Sequence, residues 1–137
     1  MSTTLNPYLN FDGHTEAAMK FYAEALNGKL ELFRFGDSPV PVPPDQKNRV
    51  MHALLKTEAM TIMASDTPAT MVRSPGNAVH LSLSFDNETE QQRVWDKLAA
   101  GGKVGEPLAN QFFGRFGTLT DKFGTSWMFI LPAPPPK

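Results

Sequence analysis

Three histidines, His14, His52 and His80, are the residues of this chain best suited to bind a metal ion or to carry a proton. His52 and His80 fall in segments that alternate like strands, and Asp66 or Asp121 could add a carboxylate beside them. Two histidines and a carboxylate would suit zinc or iron. Alternatively, His52 is a structural histidine bonded to a neighbouring hydroxyl or carbonyl, and His14, at a turn before a helix, is solvated. The sequence contains no cysteine, which excludes thiol chemistry and disulfide bonds.

The elements that position these residues come from an internal repeat. Residues 6–13 align with residues 80–87 at an offset of 74 positions. The same offset continues without a gap and pairs Leu9 with Leu83, Phe11 with Phe85, Thr15 with Thr89, Phe21 with Trp95 and Gly28 with Gly102. Agreement at strand positions, on a helix face and at a terminal glycine predicts one supersecondary unit that is used twice.

The first repeat is predicted to fold as β-α-β-β-β. A strand over residues 8–11 leads into a helix that Thr15 can cap and that Asn27-Gly28 ends. The apolar residues of this helix recur at three- and four-residue spacing, at Ala18, Phe21, Tyr22, Ala25 and Leu26. Three further strands are predicted over residues 30–35, 50–56 and 60–65, with a proline-rich loop over 36–47.

The second repeat begins at Ala78 and contains a helix over residues 88–100. Its inward residues are Val94, Trp95 and Leu98, and its later strands lie near Val104, Phe116 and Trp127. The repeats span about residues 5–66 and 78–131, joined by a connector over 67–77. Because each repeat has about 65 residues and one helix, a separate core would be marginal. We therefore predict a single α+β domain over residues 1–137.

Composition limits the classes of function. The 137 residues are 41% hydrophobic and 20% charged, as expected for a compact globular domain. A formal charge of -1 without a run of lysine or arginine predicts no nucleic-acid or membrane-surface partner. No apolar segment approaches the roughly 20 residues that cross a bilayer, and the first residues do not resemble a secretory signal. We expect a cytoplasmic protein with a small neutral or weakly charged ligand.

Side-chain alternation along the first strand of each repeat predicts where that ligand binds. Leu81, Leu83 and Phe85 point to one face, and His80, Ser82 and Ser84 point to the other. If each sheet packs its apolar face on its helix, the opposite faces can curve toward each other and enclose a cup. The predicted lining of this cup is Tyr8, Asn10, His80 and Ser82. The alternative is that these polar faces are only solvated.

Other residues could complete a binding site. Phe112 and Phe113 precede Gly114-Arg115 in a loop that could cover the cup or bury in a dimer interface. Met51, Met63 and Met128 could give an adaptable apolar lining, or could fill the core. Arg49 and Lys47 could bind an anion, or could be solvated at the end of their loop.

The doubled β-α-β-β-β unit resembles the vicinal oxygen chelate superfamily, which includes glyoxalase I, extradiol dioxygenases and bleomycin-resistance proteins. Within it, the chain is most similar to the PhnB-like group. The resemblance covers nearly the whole chain and rests on residues 6–13, on Phe21-Tyr22, on residues 62–66 and on residues 116–128. The last stretch contains Asp-x-Phe-Gly-x-x-Trp, from Asp121 to Trp127, which we interpret as a structural marker.

The resemblance implies a cup formed by two curved mixed sheets, and often a homodimer in which modules from two chains complete each cup. It also implies a divalent metal ion held by ligands on the first and last strand of each module. His80 fits one of these positions. Asn6, Met63 and Met128 occupy the other three, and neither an amide nor a thioether is a favoured ligand of a hard divalent ion.

Three functions therefore stay open. The first, which we favour, is a PhnB-like protein that binds a small molecule without a complete metal centre. The second is a metal-dependent enzyme of glyoxalase or dioxygenase type, with His80 as a metal ligand. The third is a bleomycin-resistance-like protein that sequesters an antibiotic. We disfavour methyl transfer, because no Gly-rich strand-turn-helix for a methyl-donor nucleotide is present. No catalytic residue is assigned, and the candidate ligand-binding residues are Tyr8, Asn10, His52, His80, Ser82, Phe113 and Met128.

Overall fold

A computed structural model describes residues 3–39, 41–67, 76 and 78–134 of the chain. The chain divides into two compact units, residues 1–74 (unit 1) and residues 75–137 (unit 2). Each unit contains one α-helix and one mixed β-sheet, which confirms the predicted α+β class. The cup and the single domain stay predictions, and the predicted connector lies mostly outside the described residues. None of the described helices is long and apolar enough to cross a membrane.

Unit 1 follows the predicted β-α-β-β-β order. Its elements are β1 (Tyr8–Phe11), α1 (Thr15–Leu26), β2 (Lys29–Arg34), β3 (Val50–Lys56) and β4 (Thr61–Asp66). The sheet order is β1-β4-β3-β2, with β1 parallel to β4 and the other pairs antiparallel. Helix α1 packs on one face of this sheet, where it buries apolar residues that include Phe11, Tyr22, Leu55, Ile62 and Ala64. This burial is the main stabilising contribution in a unit of this size.

The start of α1 is held by a residue from the far end of unit 1. Asp66 Oδ1 accepts hydrogen bonds from the backbone N–H of Thr15 (3.1 Å) and from its hydroxyl (2.8 Å). Asp66 Oδ2 accepts a third from the N–H of Val50, at 2.8 Å. The predicted cap at Thr15 is therefore wrong. Thr15 is the first helical residue, and its side chain donates to the carboxylate that caps the helix.

Unit 2 contains β5 (Leu81–Ser84), α2 (Glu88–Ala99), β6 (Lys103–Val104), β7 (Ala109–Gln111), β8 (Gly114–Thr120) and β9 (Ser126–Pro132). The strand order is β5-β9-β8-β6, and β7, which the sequence did not predict, also pairs with β8. Strand β5 is parallel to β9, and the other pairs are antiparallel. The buried residues of this unit include Leu83, Trp95, Leu98, Trp127 and Phe129. Asn87 caps α2 by accepting from the N–H of Glu90, at 2.7 Å.

The predicted gapless alignment of the two repeats needs one correction. Helix α1 spans Thr15–Leu26 and α2 spans Glu88–Ala99, an offset of 73 rather than 74. Burial agrees, because Tyr22 and Trp95 are both buried whereas Phe21 is only half-buried. Counted from the equivalent strand positions Phe11 and Phe85, three residues precede α1 and two precede α2. Two residues separate α1 from β2, and three separate α2 from β6. Trp95 therefore corresponds to Tyr22, and the pairing with Phe21 is wrong.

Candidate functional site

The sheet of unit 1 has one face that α1 does not cover, which we call the helix-free face. Alternation along the strands places Leu9, Phe11, Ala53, Leu55, Ile62 and Ala64 toward α1. The helix-free face carries the intervening residues Tyr8, Asn10, Phe33, His52, Leu54, Met63 and Ser65. Strand register arranges them in rows, with Tyr8 beside Met63 and Met63 beside Leu54, then Asn10 beside Ser65 and His52 beside Phe33.

Three of these residues form an aromatic strip across the helix-free face of unit 1. The rings of Tyr8 and His52 lie 6.0 Å apart between centroids, with their planes inclined by 32°. Phe33 is the Cα partner of His52 on the neighbouring strand. Tyr8 and Phe33 are 45% and 43% exposed, which is unusual for large aromatic residues on a folded sheet. The strip therefore offers flat ring surface to a ligand.

The polar groups beside this strip are available for binding. Among the residues that the structure describes, the Tyr8 hydroxyl, the Asn10 amide, the His52 ring and the Ser65 hydroxyl make no side-chain hydrogen bond within the chain. The predicted structural role of His52, bonded to a neighbouring hydroxyl or carbonyl, is therefore not what this part of the chain shows. Its ring instead contacts Tyr8.

The helix-free face of unit 2 has the same register and different chemistry. Ser82 is the Cα partner of Met128, and Met128 is the partner of Thr118. Its hydroxyls are largely paired. The N–H of Glu106 donates to Thr118 Oγ1 at 2.9 Å, and the hydroxyls of Thr120 and Ser126 lie 3.3 Å apart.

Aromatic residues of unit 2 gather at the β7–β8 hairpin. The Phe113 ring meets Phe116 edge to face, with centroids 5.5 Å apart, and meets Phe112 at 5.2 Å. Phe112 is 95% exposed at the turn. The ring of Phe116 on the helix-free face is therefore partly covered by its own hairpin.

The predicted binding residues divide between the two units. Tyr8, Asn10 and His52 come together on the helix-free face of unit 1. In unit 2, Ser82 and Met128 are adjacent partners, Phe113 lies at the hairpin, and His80 is exposed just before β5. A single pocket that joins both sets stays a prediction.

Neither carboxylate proposed for a metal site is available for one. Asp66 is buried on the α1 side of its sheet and is occupied by three donors. Asp121 Oδ1 accepts from the N–H of Phe123 (2.8 Å) and of Thr125 (3.2 Å), and its Oδ2 accepts from Trp127 Nε1 (2.8 Å). The hypothesis that Asp66 or Asp121 completes a histidine site is therefore wrong. The Asp-x-Phe-Gly-x-x-Trp motif shapes the β8–β9 turn and anchors a buried indole.

The positions expected to hold a metal do not suit one. Met63 and Met128 lie at equivalent positions on the helix-free faces, beside Tyr8 and Ser82 respectively. A thioether is a weak ligand for hard divalent ions. Nowhere in residues 3–39, 41–67, 76 and 78–134 do three His, Cys, Asp or Glu side chains gather in a way that could hold a metal ion. The donor set therefore does not fit the metal centre that the sequence resemblance implies.

Arg49, the cation considered for an anionic ligand, is engaged in unit 1. Its Nη2 donates to Asp12 Oδ1 at 3.0 Å and to the Thr67 carbonyl at 2.6 Å. Its side chain is only 18% exposed. Arg49 therefore ties the end of β1 to the end of β4, whereas Lys47 is exposed in its loop.

Two glutamates on the helices have a lowered pKa. Hydrogen bonds from Lys20 and Arg34 lower the pKa of Glu16 on α1. A hydrogen bond from Arg93 lowers the pKa of Glu90 on α2, and the same contact raises the pKa of Arg93. In unit 1 these charges lie on the α1 side of the sheet, because Arg34 of β2 bonds Glu16 of α1.

Three residues of the unit 1 surface were not among the predicted binding residues, namely Phe33, Leu54 and Ser65. Alternation along β2, β3 and β4 would have identified them, because each directly follows a residue that faces α1, namely Leu32, Ala53 or Ala64. The prediction followed alternation only along the first strand of each repeat, and therefore missed the strands beside it.

Comparison with known proteins agrees with this fold. The family model described as 3-demethylubiquinone-9 3-methyltransferase matches residues 3–130. Protein YjdN of Escherichia coli (strain K12) is 30% identical over an alignment 139 positions long, which covers 90% of this chain and 92% of YjdN. The crystal structure of protein PA1353 from Pseudomonas aeruginosa is 37% identical with a TM-score of 0.89, and the match covers 96% of this chain and 98% of that one.

Two further structures share this fold. The PhnB protein from Bacillus cereus is 28% identical with a TM-score of 0.75, covering 94% of this chain and 99% of that one. A glyoxylase/bleomycin resistance protein/dioxygenase domain from Frankia sp. EAN1pec shares the fold at 19% identity, with a TM-score of 0.68 and coverage of 97% and 93%. Because the family model and a curated relative both match most of its length, the chain belongs to the PhnB-like 3-demethylubiquinone-9 3-methyltransferase family.

Proposed function

We propose that this protein binds an organic small molecule on the helix-free face of unit 1, without the metal centre of its superfamily. The observation that carries the proposal is the set of hydrogen-bonding groups on Tyr8, Asn10, His52 and Ser65 beside exposed rings. Ligand sites combine apolar and aromatic surface with a few convergent polar groups, and this face has both. Sequestration of a planar antibiotic would use the same surface and is one form of this function.

Two kinds of chemistry receive less support. Metal-dependent catalysis would need oxygen or imidazole ligands where Met63 and Met128 stand. Methyl transfer, which the family description names, would need a site for a methyl donor. The turns that lead into the two helices, Asp12-Gly13-His14 and Asp86-Asn87, are not glycine-rich. Neither activity is therefore the function that we assign.

Metal analysis tests the proposal first. Protein purified without chelators or a histidine tag, and then incubated with zinc, iron, nickel or manganese, should retain far less than one ion per chain by elemental mass spectrometry. About one retained ion per chain, lost in His80→Ala and kept in Ser82→Ala, would overturn the proposal in favour of a metalloenzyme. Ser82→Ala is the matched control, because Ser82 lies two residues from His80 and a serine cannot replace an imidazole.

A fragment screen then tests ligand binding directly. Backbone amide spectra of isotopically labelled protein should show saturable shifts on β1, β3 and β4 with a subset of organic fragments. A large and chemically diverse library that leaves these strands unshifted would contradict the proposal. The homodimer and the cytoplasmic location implied at the sequence level stay predictions, and sedimentation velocity checks the first.

A further inference from the structure

We infer that the ligand is an uncharged, planar aromatic molecule with polar substituents, and that each chain binds one copy, on unit 1, with Tyr8 and His52 as the recognition pair. The inference rests on the proposed function and narrows it. It follows from three properties of the helix-free faces, which are ring surface, charge and the difference between the two units.

Ring surface favours an aromatic ligand. Tyr8, His52 and Phe33 lie on three of the four strands of the unit 1 sheet and on the same face, so aromatic surface is spread across the sheet rather than confined to the Tyr8–His52 contact. Planar rings gain from stacking or edge contacts with such a strip, by about 0.5–1.5 kcal/mol for each pair beyond the burial of area. A saturated ligand of the same size would gain only the burial.

Charge favours a neutral ligand. The two rows that contain Tyr8 and His52 hold one carboxylate, at the edge of the sheet. Their other side chains are a phenol, a thioether, an alkyl group, an amide, a hydroxyl, an imidazole and a phenyl ring. That carboxylate belongs to Glu31, the Cα partner of Leu54. Two lysines, Lys29 and Lys56, form the next row of the same face, where both are exposed to solvent. A bound anion in the rows that hold the rings would therefore lose its hydration beside Glu31, without a cation in those rows to replace it. The amide of Asn10 and the hydroxyl of Ser65, on adjacent partners, can instead bond polar substituents of a neutral ring.

The two units differ at the positions that matter. Strand register places Ser82 where unit 1 has Tyr8, because each lies beside the methionine of the last strand. On its other side, the same methionine pairs with Leu54 in unit 1 and with Thr118 in unit 2. The residue two positions before this partner is His52 in unit 1 and Phe116 in unit 2, so these two residues are equivalent. Ser82 carries no ring, and Phe116, which contacts Phe113, carries no hydrogen-bonding group in its side chain, while the hydroxyls of Thr118, Thr120 and Ser126 are paired. Unit 2 therefore lacks a free recognition pair, and one ligand binds per chain.

A matched set of three probes tests the inference. The probes are 2-naphthol, which is neutral and aromatic, 2-naphthoate, which is the anionic counterpart, and 2-decalol, which is saturated. Amide spectra should show saturable binding of one 2-naphthol per chain, with shifts on β1, β3 and β4. Both other probes should bind at least roughly tenfold more weakly, the size expected from one lost ring contact or one buried charge.

Exchanging residues between the units gives the matched variants. Tyr8→Ser installs the unit 2 residue in unit 1, and His52→Ala removes the second ring of the pair. Each should weaken 2-naphthol binding roughly tenfold. Ser84→Ala, on β5 of unit 2, should leave it unchanged. Tyr8→Phe keeps the ring and should retain most of the affinity, which separates lost recognition from lost folding.

Each contrary outcome has a defined meaning. Equal binding of 2-naphthoate or 2-decalol, or shifts confined to unit 2, would overturn the inference. Fragment hits of other chemistry on the helix-free face of unit 1 would then still support the proposed function. If neither the probes nor any fragment shifted that face, the inference and the proposed function would fail together.

Discussion

Units 1 and 2 share strand register and differ in what they present on it. In both units the first strand runs parallel to the last. A methionine of the last strand lies beside a residue of the first strand on the helix-free face. That position is an exposed tyrosine in unit 1 and a serine in unit 2. The scaffold therefore positions side chains without deciding their chemistry, and the function must be sought in the difference.

The units also use a buried aspartate in different ways. Asp66 joins the start of α1 to β3 and closes unit 1 around its helix. Asp121 organises the β8–β9 turn and holds Trp127, while α2 takes its cap from Asn87 next to it. The helix of unit 1 therefore depends on a residue from its last strand, and the helix of unit 2 does not.

The largest expected effect tests whether the helices are equivalent. Tyr22→Ala and Trp95→Ala each empty a buried aromatic position, 0% and 8% exposed respectively, and should each lower the free energy of unfolding by about 3–5 kcal/mol. Phe21→Ala should cost clearly less, because Phe21 is half-buried. Urea unfolding followed by circular dichroism measures all three. A larger loss for Phe21→Ala than for Tyr22→Ala would restore the gapless offset of 74.

The next effect tests the two aspartates. Asp66→Ala and Asp121→Ala each leave buried donors without an acceptor, and each should destabilise the protein by about 3 kcal/mol. Only Asp121→Ala should also change the fluorescence of the native state, because it frees the indole N–H of Trp127. Asn replacements keep one acceptor oxygen and serve as controls. A fluorescence change in Asp66→Ala of the same size would contradict this division of roles.

Much of the fold could be predicted from alternation and turn residues. The strand faces of β1 and β5 follow directly from Leu9 and Phe11 and from Leu81 and Leu83, because side chains alternate across a strand. The one-residue shift of the helices could not be predicted. The turn before α2 is shortened and the turn after it is lengthened by one residue each, so the strands on both sides keep the offset of 74 positions. The cap of α1 was missed because Asp66 is 51 positions from Thr15.

The candidate site was only partly predictable. Tyr8, Asn10 and His52 were predicted as binding residues, and they do lie together on one face. Their neighbour Phe33 depends on the pairing of β2 with β3, which includes a shift in register after Phe33. Pairing partners and bulges arise from contacts distant in sequence, so local pattern does not reveal them.

A smaller effect on stability sharpens the contrast between the faces. Tyr8→Ser should change the free energy of unfolding by less than about 1 kcal/mol, because Tyr8 is half-exposed and its hydroxyl has no partner among the described residues. The same variant should lose binding of 2-naphthol. Thermal unfolding without the probe, compared with titration, separates the two. A loss of stability as large as that of Tyr22→Ala would show that Tyr8 has a structural role.

The smallest effect concerns acid and the two helix glutamates. A lowered pKa means that Glu16 and Glu90 stabilise the folded state above the pKa of the unfolded chain, and that this contribution is lost as pH falls through the lowered values, below 4.5. Each contribution should be under about 1 kcal/mol because both pairs are solvent-exposed. Glu16 links α1 to Arg34 on β2, whereas Glu90 and Arg93 lie on the same helix.

Glu16→Gln should therefore reduce the acid sensitivity of the urea midpoint, measured at neutral pH and near pH 3, more than Glu90→Gln does. High salt should shrink both effects because it screens exposed charges. An equal or larger effect of Glu90→Gln would mean that these pairs stabilise each helix locally. The contact between α1 and β2 would then contribute little, and the units would be alike in surface electrostatics while differing on their helix-free faces.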